Sequence, residues 1–253
     1  MPAWAEKLFS ALVWLAIWQA AYFAVGKDLL LASPINTIKA LAALFGQLAF
    51  WQAIGGSLLR MLAALITGVI LGSLLAGLLA RFSLLNALFR PLLSVIRSTP
   101  VTSFILLALV WLSAANVPVL TGILMVVPIM WANVTQGIES VDNELLEMAQ
   151  VFRFSRSKKL KHMYIPAVMP HFIAGVKTSV GLCWKACIAA EVIGRPKGAI
   201  GSMLYNTKIY LETDKMFAFT ITVIVISMAL EMLFKLLLDI LAKKEGSAYE
   251  DGI

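Results

Sequence analysis

Apolar residues run in long unbroken stretches along most of this chain, and charge is confined to short interruptions. A helix needs about 20 such residues to cross about 30 Å of hydrocarbon. The pattern predicts six membrane spans, over residues 9–25, 52–80, 92–112, 117–137, 166–193 and 216–241. The first follows a short polar start containing Glu6 and Lys7. It resembles a secretion signal only superficially: its apolar stretch is long, it carries Trp14 and Trp18, and no small-residue cleavage site follows. It is read as a retained span. Ser33-Pro34 then opens a short helix with Pro34 in its first turn and Ile38, Leu41, Leu44 and Phe45 on one side, expected to lie on the membrane surface. A polar tail, KKEGSAYEDGI, closes the sequence.

Composition removes most alternatives. With 253 residues, 60% hydrophobic and only 14% charged, the chain has too little polar surface to cover a water-soluble globule. The expected architecture is all-α, a polytopic membrane protein of about six transmembrane helices forming a single domain over residues 1–253. The net charge of +7 does not point to nucleic acid, because much of the basic excess sits in one segment between apolar runs, where it acts as a topology signal. Cys183 and Cys187 lie four apart inside an apolar run, a spacing that makes neither a disulfide framework nor a metal site.

That basic segment, VFRFSRSKKLKHMYIP, carries Arg153, Arg156, Lys158, Lys159 and Lys161 without an acidic residue, which predicts a cytoplasmic location. Six spans then place both termini in the cytoplasm. Arg81, Arg90, Lys243 and Lys244 fall on the same side. Arg195, Lys197, Lys208 and Lys215, partly offset by Glu212 and Asp214, fall outside and oppose the trend.

The segment DNELLEMAQVFRFSRSKKLKHMYIP has helical patterning rather than linker composition. Asp142 is placed to cap a short helix with Leu145, Leu146, Ala149, Val151 and Phe152 on an apolar side and Glu144, Glu147 and Gln150 on a polar one. A basic helix comes next and leads into Pro166. Its basic half suits lipid headgroups, but its acidic half would be repelled by an anionic surface. A docking element for a partner fits both halves.

From Glu147 to Pro166 the chain resembles the EAA loop of ATP-binding-cassette importer permeases, written E-A-A, three residues, G, nine residues, I, one residue, L-P. Glu147, Ala149 and Pro166 match. Met148, Met163 and Ile165 are apolar exchanges, and Arg153 replaces the Gly, which at such a turn supplies a positive backbone angle. The resemblance implies the type I importer fold of that family and a coupling loop at about residues 140–165. Glu144, Glu147, Ala149, Gln150, Phe152, Arg153 and Phe154 would seat in a cleft of an ATPase. It also implies two ATPase subunits that bind the ATP and magnesium, a second permease copy, and an extracytoplasmic binding protein, in a bacterial inner membrane. No cofactor is implied for this chain.

Gly175, Lys177, Gly181, Trp184, Ala190 and Glu191, with the later ETDKMFA and the earlier SPINTIKAL, resemble the subfamily of nitrate, sulfonate, taurine and bicarbonate permeases. Their named substrates are largely anions or carry an acidic group. On the fifth span, at about 100° per residue, Lys177, Lys185 and Glu191 share an arc of about 120°. Facing lipid, each would cost roughly 2.5–3.5 kcal/mol, so the arc is expected to face protein or a watery pathway. With Arg97 and Thr99 beside the helix-breaking Pro100, they form the candidate translocation pathway. Snorkelling of Lys185 and a packing ion pair at Lys177 are the competing readings. Tyr205, Tyr210, Glu212 and Asp214, in the loop between the last two spans, are the candidate docking surface for the binding protein.

Ala64, Gly68, Gly72, Ala76 and Ala80, and likewise Gly175, Ser179, Cys183 and Cys187, recur every fourth residue. Each stripe lets a second helix approach closely, within one subunit in preference to across a dimer. Pro128 is expected to produce an ordinary kink.

There is no G-x-x-x-x-G-K-[ST] phosphate loop, so ATP hydrolysis is assigned to a partner. An intramembrane enzyme would need H-E-x-x-H, G-x-S-x-G or an equivalent set. None occurs, and the only histidines are His162 and His171. A self-sufficient ion-coupled transporter would show repeated halves with matching broken helices, a pattern this sequence lacks.

Overall fold

The computed structural model describes the backbone of residues 3–250 and the side chains of residues 4–6 and 8–240; the expectations placed on Lys7, Lys243 and Lys244 fall outside them. The helices are α1 (Ala3–Val25), α2 (Pro34–Phe45), α3 (Leu48–Arg81), α4 (Ser83–Ser98), α5 (Val101–Trp111), α6 (Val117–Glu139) and α7 (Asn143–Val151). After them, α8 (Arg156–Lys159) passes through a π-helical turn (Leu160–Tyr164) into α9 (Ile165–Gly194), followed by α10 (Ile200–Ile209) and α11 (Thr213–Glu250). Among the described residues, five stretches are long and apolar enough to cross a membrane: Trp4–Val25, Leu48–Arg81, Val117–Glu139, Arg156–Gly194 and Thr213–Ile240.

The third predicted span is not one helix. Pro100 has no amide proton and excludes the helical region for Thr99, which sits at φ −79°, ψ 131°. The chain turns by 105° between α4 and α5. At about 1.5 Å per residue α5 spans only about 16 Å. Residues 92–112 therefore cross as a broken pair or not at all. Pro128 behaves differently, and α6 runs through it.

The core is a three-helix packing of α3, α6 and α9 around Met61, Val126, Met130, Val180 and Trp184, all fully buried. Small residues set its spacing. A Cβ added at Gly68 would sit 2.6 Å from the Cβ of Val126, and one at Gly72 would sit 2.7 Å from both the Cβ of Met130 and the Val127 carbonyl oxygen. From the opposite side, Gly122 approaches Ala64 and the two cysteine sulfurs just as closely. Apart from Ala80, which is exposed, both small-residue stripes are therefore consumed inside the subunit. The Cys183 thiol donates to the Met61 carbonyl at 3.7 Å and the Cys187 thiol to the Pro118 carbonyl at 3.3 Å, so both serve packing.

Helix α2 is capped by Ser33, whose hydroxyl accepts from the Asn36 amide at 3.1 Å. Its buried side is Pro34, Thr37, Ala40 and Leu44, turned onto α11, while Ile38 and Phe45 are exposed. Of the expected apolar side Leu44 is buried and Ile38 and Phe45 are left uncovered, while the small residues Thr37 and Ala40 allow the close approach to α11.

Candidate functional site

Helix α7 begins where Asp142 accepts a hydrogen bond from the Glu144 amide at 2.9 Å, as the sequence leads one to expect. It ends in a Schellman turn. The Phe154 amide donates to the Ala149 carbonyl at 2.9 Å and the Arg153 amide to the Gln150 carbonyl at 3.0 Å. Arg153 takes the left-handed conformation this requires, φ 50°. For a residue with a Cβ that conformation costs about 1–2 kcal/mol. The turn is the one a glycine would make, without the glycine.

The turn decides which side chains are presented. Ala149 is fully buried against Val141 and Met163, with Leu146, Phe154 and Tyr164 packed around them. Glu144, Glu147, Gln150, Phe152 and Arg153 are exposed. Val151 and Phe152, expected on the apolar side, point out at 79% and 68% exposure: Val151 lies about 200° round the helix from buried Ala149, and Phe152 is past the last helical residue. Ala149 and Phe154 anchor the element, and the exposed residues form its free face. The anchoring role of Val141 and Met163 was not readable from α7 alone, since both come from flanking segments.

The ionisable groups of the bundle divide into three kinds. Glu191 is fully buried, and its carboxylate accepts from Arg60 Nε at 2.9 Å, Ser57 Oγ at 2.7 Å and the Gly201 amide at 3.2 Å. Arg60 also donates to the Gly198 carbonyl at 2.9 Å, and the Ile200 amide donates to Ser57 Oγ at 3.0 Å. This differs from the expectation for Glu191: the carboxylate is buried among three donors and fastens α3, α9 and the start of α10 together. Arg60 was missed, although a single charge inside a long apolar run is the signal that marks such a residue.

Lys177 forms an ion pair with Asp239 of α11 at 2.5 Å, both groups partly open to the surroundings. Lys185 lies on the same side of α9, exposed and without an ion pair among the described residues. Arg97 reaches from α4 to α6, donating to the Pro128 carbonyl at 2.7 Å with its guanidinium 5.4 Å from the centre of the Trp131 ring. The Nε1 of Trp131 and the hydroxyl of Thr135, one turn further along α6, are buried without a hydrogen-bond partner. Thr99 is spent locally, its hydroxyl donating to the Val95 carbonyl at 2.8 Å and closing the helix end before Pro100.

Helix α9 is 30 residues long. The segment after it therefore lies about 45 Å from α7 along the bundle. There the Arg195 guanidinium covers the Tyr205 ring at 5.0 Å, Glu212 pairs with Lys215 at 2.6 Å, and Asp214 is half-buried. A second Schellman turn with Leu211 at φ 56° leaves Ile209, Tyr210 and Leu211 exposed together. Tyr210 therefore stands in an apolar rim, whereas Tyr205, Glu212 and Asp214 are engaged or partly covered. The sequence pointed to Tyr210 but not to its two apolar neighbours.

The chain is a polytopic helical bundle with an anchored amphipathic helix at one end and charged groups along one side of a core helix. The match of residues 68–246 to the family described as binding-protein-dependent transport system inner membrane component, most of the chain, makes it a member of that family. Among its relatives is the protein named putative aliphatic sulfonates transport permease protein SsuC of Bacillus subtilis, 27% identical over 221 residues, covering 85% of this chain and 78% of the relative. Taurine transport system permease protein TauC of Escherichia coli is 24% identical over 224 residues, covering 85% and 80%. A crystal structure of a bacterial ABC transporter involved in alginate import superposes over 93% of this chain and 94% of its own with TM-score 0.68 at 14% identity, which fixes the fold as that of the type I importers.

Proposed function

We propose that this chain is the membrane-spanning subunit of an ATP-driven importer, in which two copies form the path for a small anionic or acid-bearing solute. Two separate ATPase subunits, holding ATP and magnesium, grip α7 from the cytoplasm. An extracytoplasmic binding protein delivers solute to the Ile209–Tyr210–Leu211 rim. Both termini lie in the cytoplasm of a bacterial inner membrane.

The observation that carries this reading is the division of labour within α7. Buried Ala149 ties the helix to Met163 and so to the base of α9, while Glu144, Glu147, Gln150, Phe152 and Arg153 stand free. A partner closing on that free face would move α7, and the anchor would pass the displacement to α9, a helix of the core. Binding energy that differs between two partner states is what shifts such an equilibrium. Arg97 beside Trp131, and Lys177 and Lys185 on α9, supply positive charge for the solute's path. Charge complementarity with the acid groups of the substrates named for SsuC and TauC supports the anionic class.

The test is co-purification of an ATPase subunit with the tagged chain. Glu147→Arg and Phe152→Ala should each lose the partner while the chain stays folded. Retention of the ATPase by both variants, or uptake driven by an ion gradient without ATP, overturns the reading.

A further inference from the structure

Beside the coupling element the bundle holds a cleft of about 770 Å³ that neither α7 nor the charged side of α9 uses. Its floor is apolar, made by Gly77 and Ala80 of α3, Val134 and Ile138 of α6, and Val168 and Phe172 of α9. At Gly77 an added Cβ would meet nothing within 4 Å, so the floor is open there. The rim is cationic: Arg81 at the end of α3, and Arg156 and Lys159 of α8. Among the described residues no acidic group lines the cleft, and none of the three cations forms an ion pair.

The π-helical turn Leu160–Tyr164 creates this combination. In a regular helix at about 100° per residue, Lys159 and Val168, nine apart, would point to opposite sides. One extra residue in a π turn rotates the helix beyond it by roughly 100°, bringing α8 toward the side of Val168 and Phe172. The cations and the apolar floor thereby share one cleft. From Ile165 to Phe172 the floor runs about 10 Å along α9.

We infer that the cleft holds an anionic phospholipid of the cytoplasmic leaflet, its phosphate among Arg81, Arg156 and Lys159 and the upper part of an acyl chain along Gly77 and Phe172. Three observations select this occupant. A free phosphate would satisfy the cations and leave the apolar floor wet, whereas a zwitterionic lipid would leave three positive charges without a net partner. An organic anion in transit would need polar donors below the rim, and the only one there is the Tyr164 hydroxyl. The apolar floor and the three cations line one cleft, which suits an acyl chain and the phosphate it carries. The leaflet assignment rests on the cytoplasmic placement of the basic loop proposed above.

The experiment compares thermal unfolding of the full-length chain in nanodiscs of phosphatidylcholine and of phosphatidylcholine with a minor fraction of phosphatidylglycerol. Phosphatidylglycerol should raise the Tm by about 2–4 °C. The rise should be lost in the combined Arg81→Gln, Arg156→Gln, Lys159→Gln variant and in Gly77→Leu, which fills the floor and keeps every cation. Lys208→Gln, at the far end of the bundle, should leave it intact. Should the triple variant fail to fold, Gly77→Leu carries the test alone. Equal Tm in the two discs, an undiminished rise in Gly77→Leu, or the same rise from inorganic phosphate in phosphatidylcholine discs overturns the proposal. No ATPase enters the measurement, so a negative result leaves the importer reading where co-purification puts it.

Discussion

Arg60 and Glu191, 131 residues apart in sequence, meet at 2.9 Å where α3 crosses the end of α9. The carboxylate is fully buried, and removing one partner of such a pair strands a charge. Arg60→Met and Glu191→Leu should each cost about 3–5 kcal/mol, while the double substitution should recover much of the loss. Thermal unfolding of the three proteins in one detergent measures this. A double variant no better than the worse single one would show that Ser57 and Gly198, rather than the ion pair, hold the junction.

At the α3–α6 contact there is no room for a side chain at Gly72, and the space is filled partly by backbone. Gly72→Leu should therefore lower stability by more than the roughly 1–3 kcal/mol typical of overpacking. Folded yield after size-exclusion chromatography reports it. Gly77→Ala, in the same helix but facing open space, serves as the tolerated comparison.

Arg153 sits at φ 50° in a turn that glycine makes without steric cost. Arg153→Gly should stabilise the loop by several tenths to about 1 kcal/mol after glycine's extra freedom in the unfolded chain is subtracted, and Arg153→Val should destabilise it. Hydrogen exchange at the Phe154 amide, which donates across the turn, is the local measure. Slower exchange in the glycine variant is the expected outcome.

The Lys177–Asp239 pair separates packing from transport. Lys177→Met should reduce solute uptake in a folded complex. The exchange Lys177→Asp with Asp239→Lys should restore folding but not uptake if positive charge on α9 serves the solute. Full uptake by the exchanged protein, or by Lys177→Met, would make the pair purely structural.

The local features were legible because each is written in neighbouring residues. Asp142 three places before Leu145 makes a cap, Thr99-Pro100 makes a break, and small residues at every fourth position make a close-packed stripe. The features that escaped depend on which helices become neighbours. Glu191 looked like pathway charge on the helical arc it shares with Lys177, and only the arrival of Arg60, Ser57 and the Gly201 amide turns it inward. Val151 and Phe152 read as apolar neighbours of Ala149, although Val151 is about 200° from Ala149 and Phe152 falls beyond the helix end. The apolar rim at Ile209 and Leu211 comes from a left-handed leucine, a conformation that no sequence preference signals.

From Arg156 to Gly194 the backbone runs helically for 39 residues, with a π turn at Leu160–Tyr164 and Pro170 inside α9, both near the end that carries α7. Beyond Pro170 the helix runs without a proline or an irregular turn to Arg195 at the other end. If the proposed partner moves α7, the stretch of helix beyond Pro170 would carry that movement as a tilt of one shaft, taking the Arg60 junction with it.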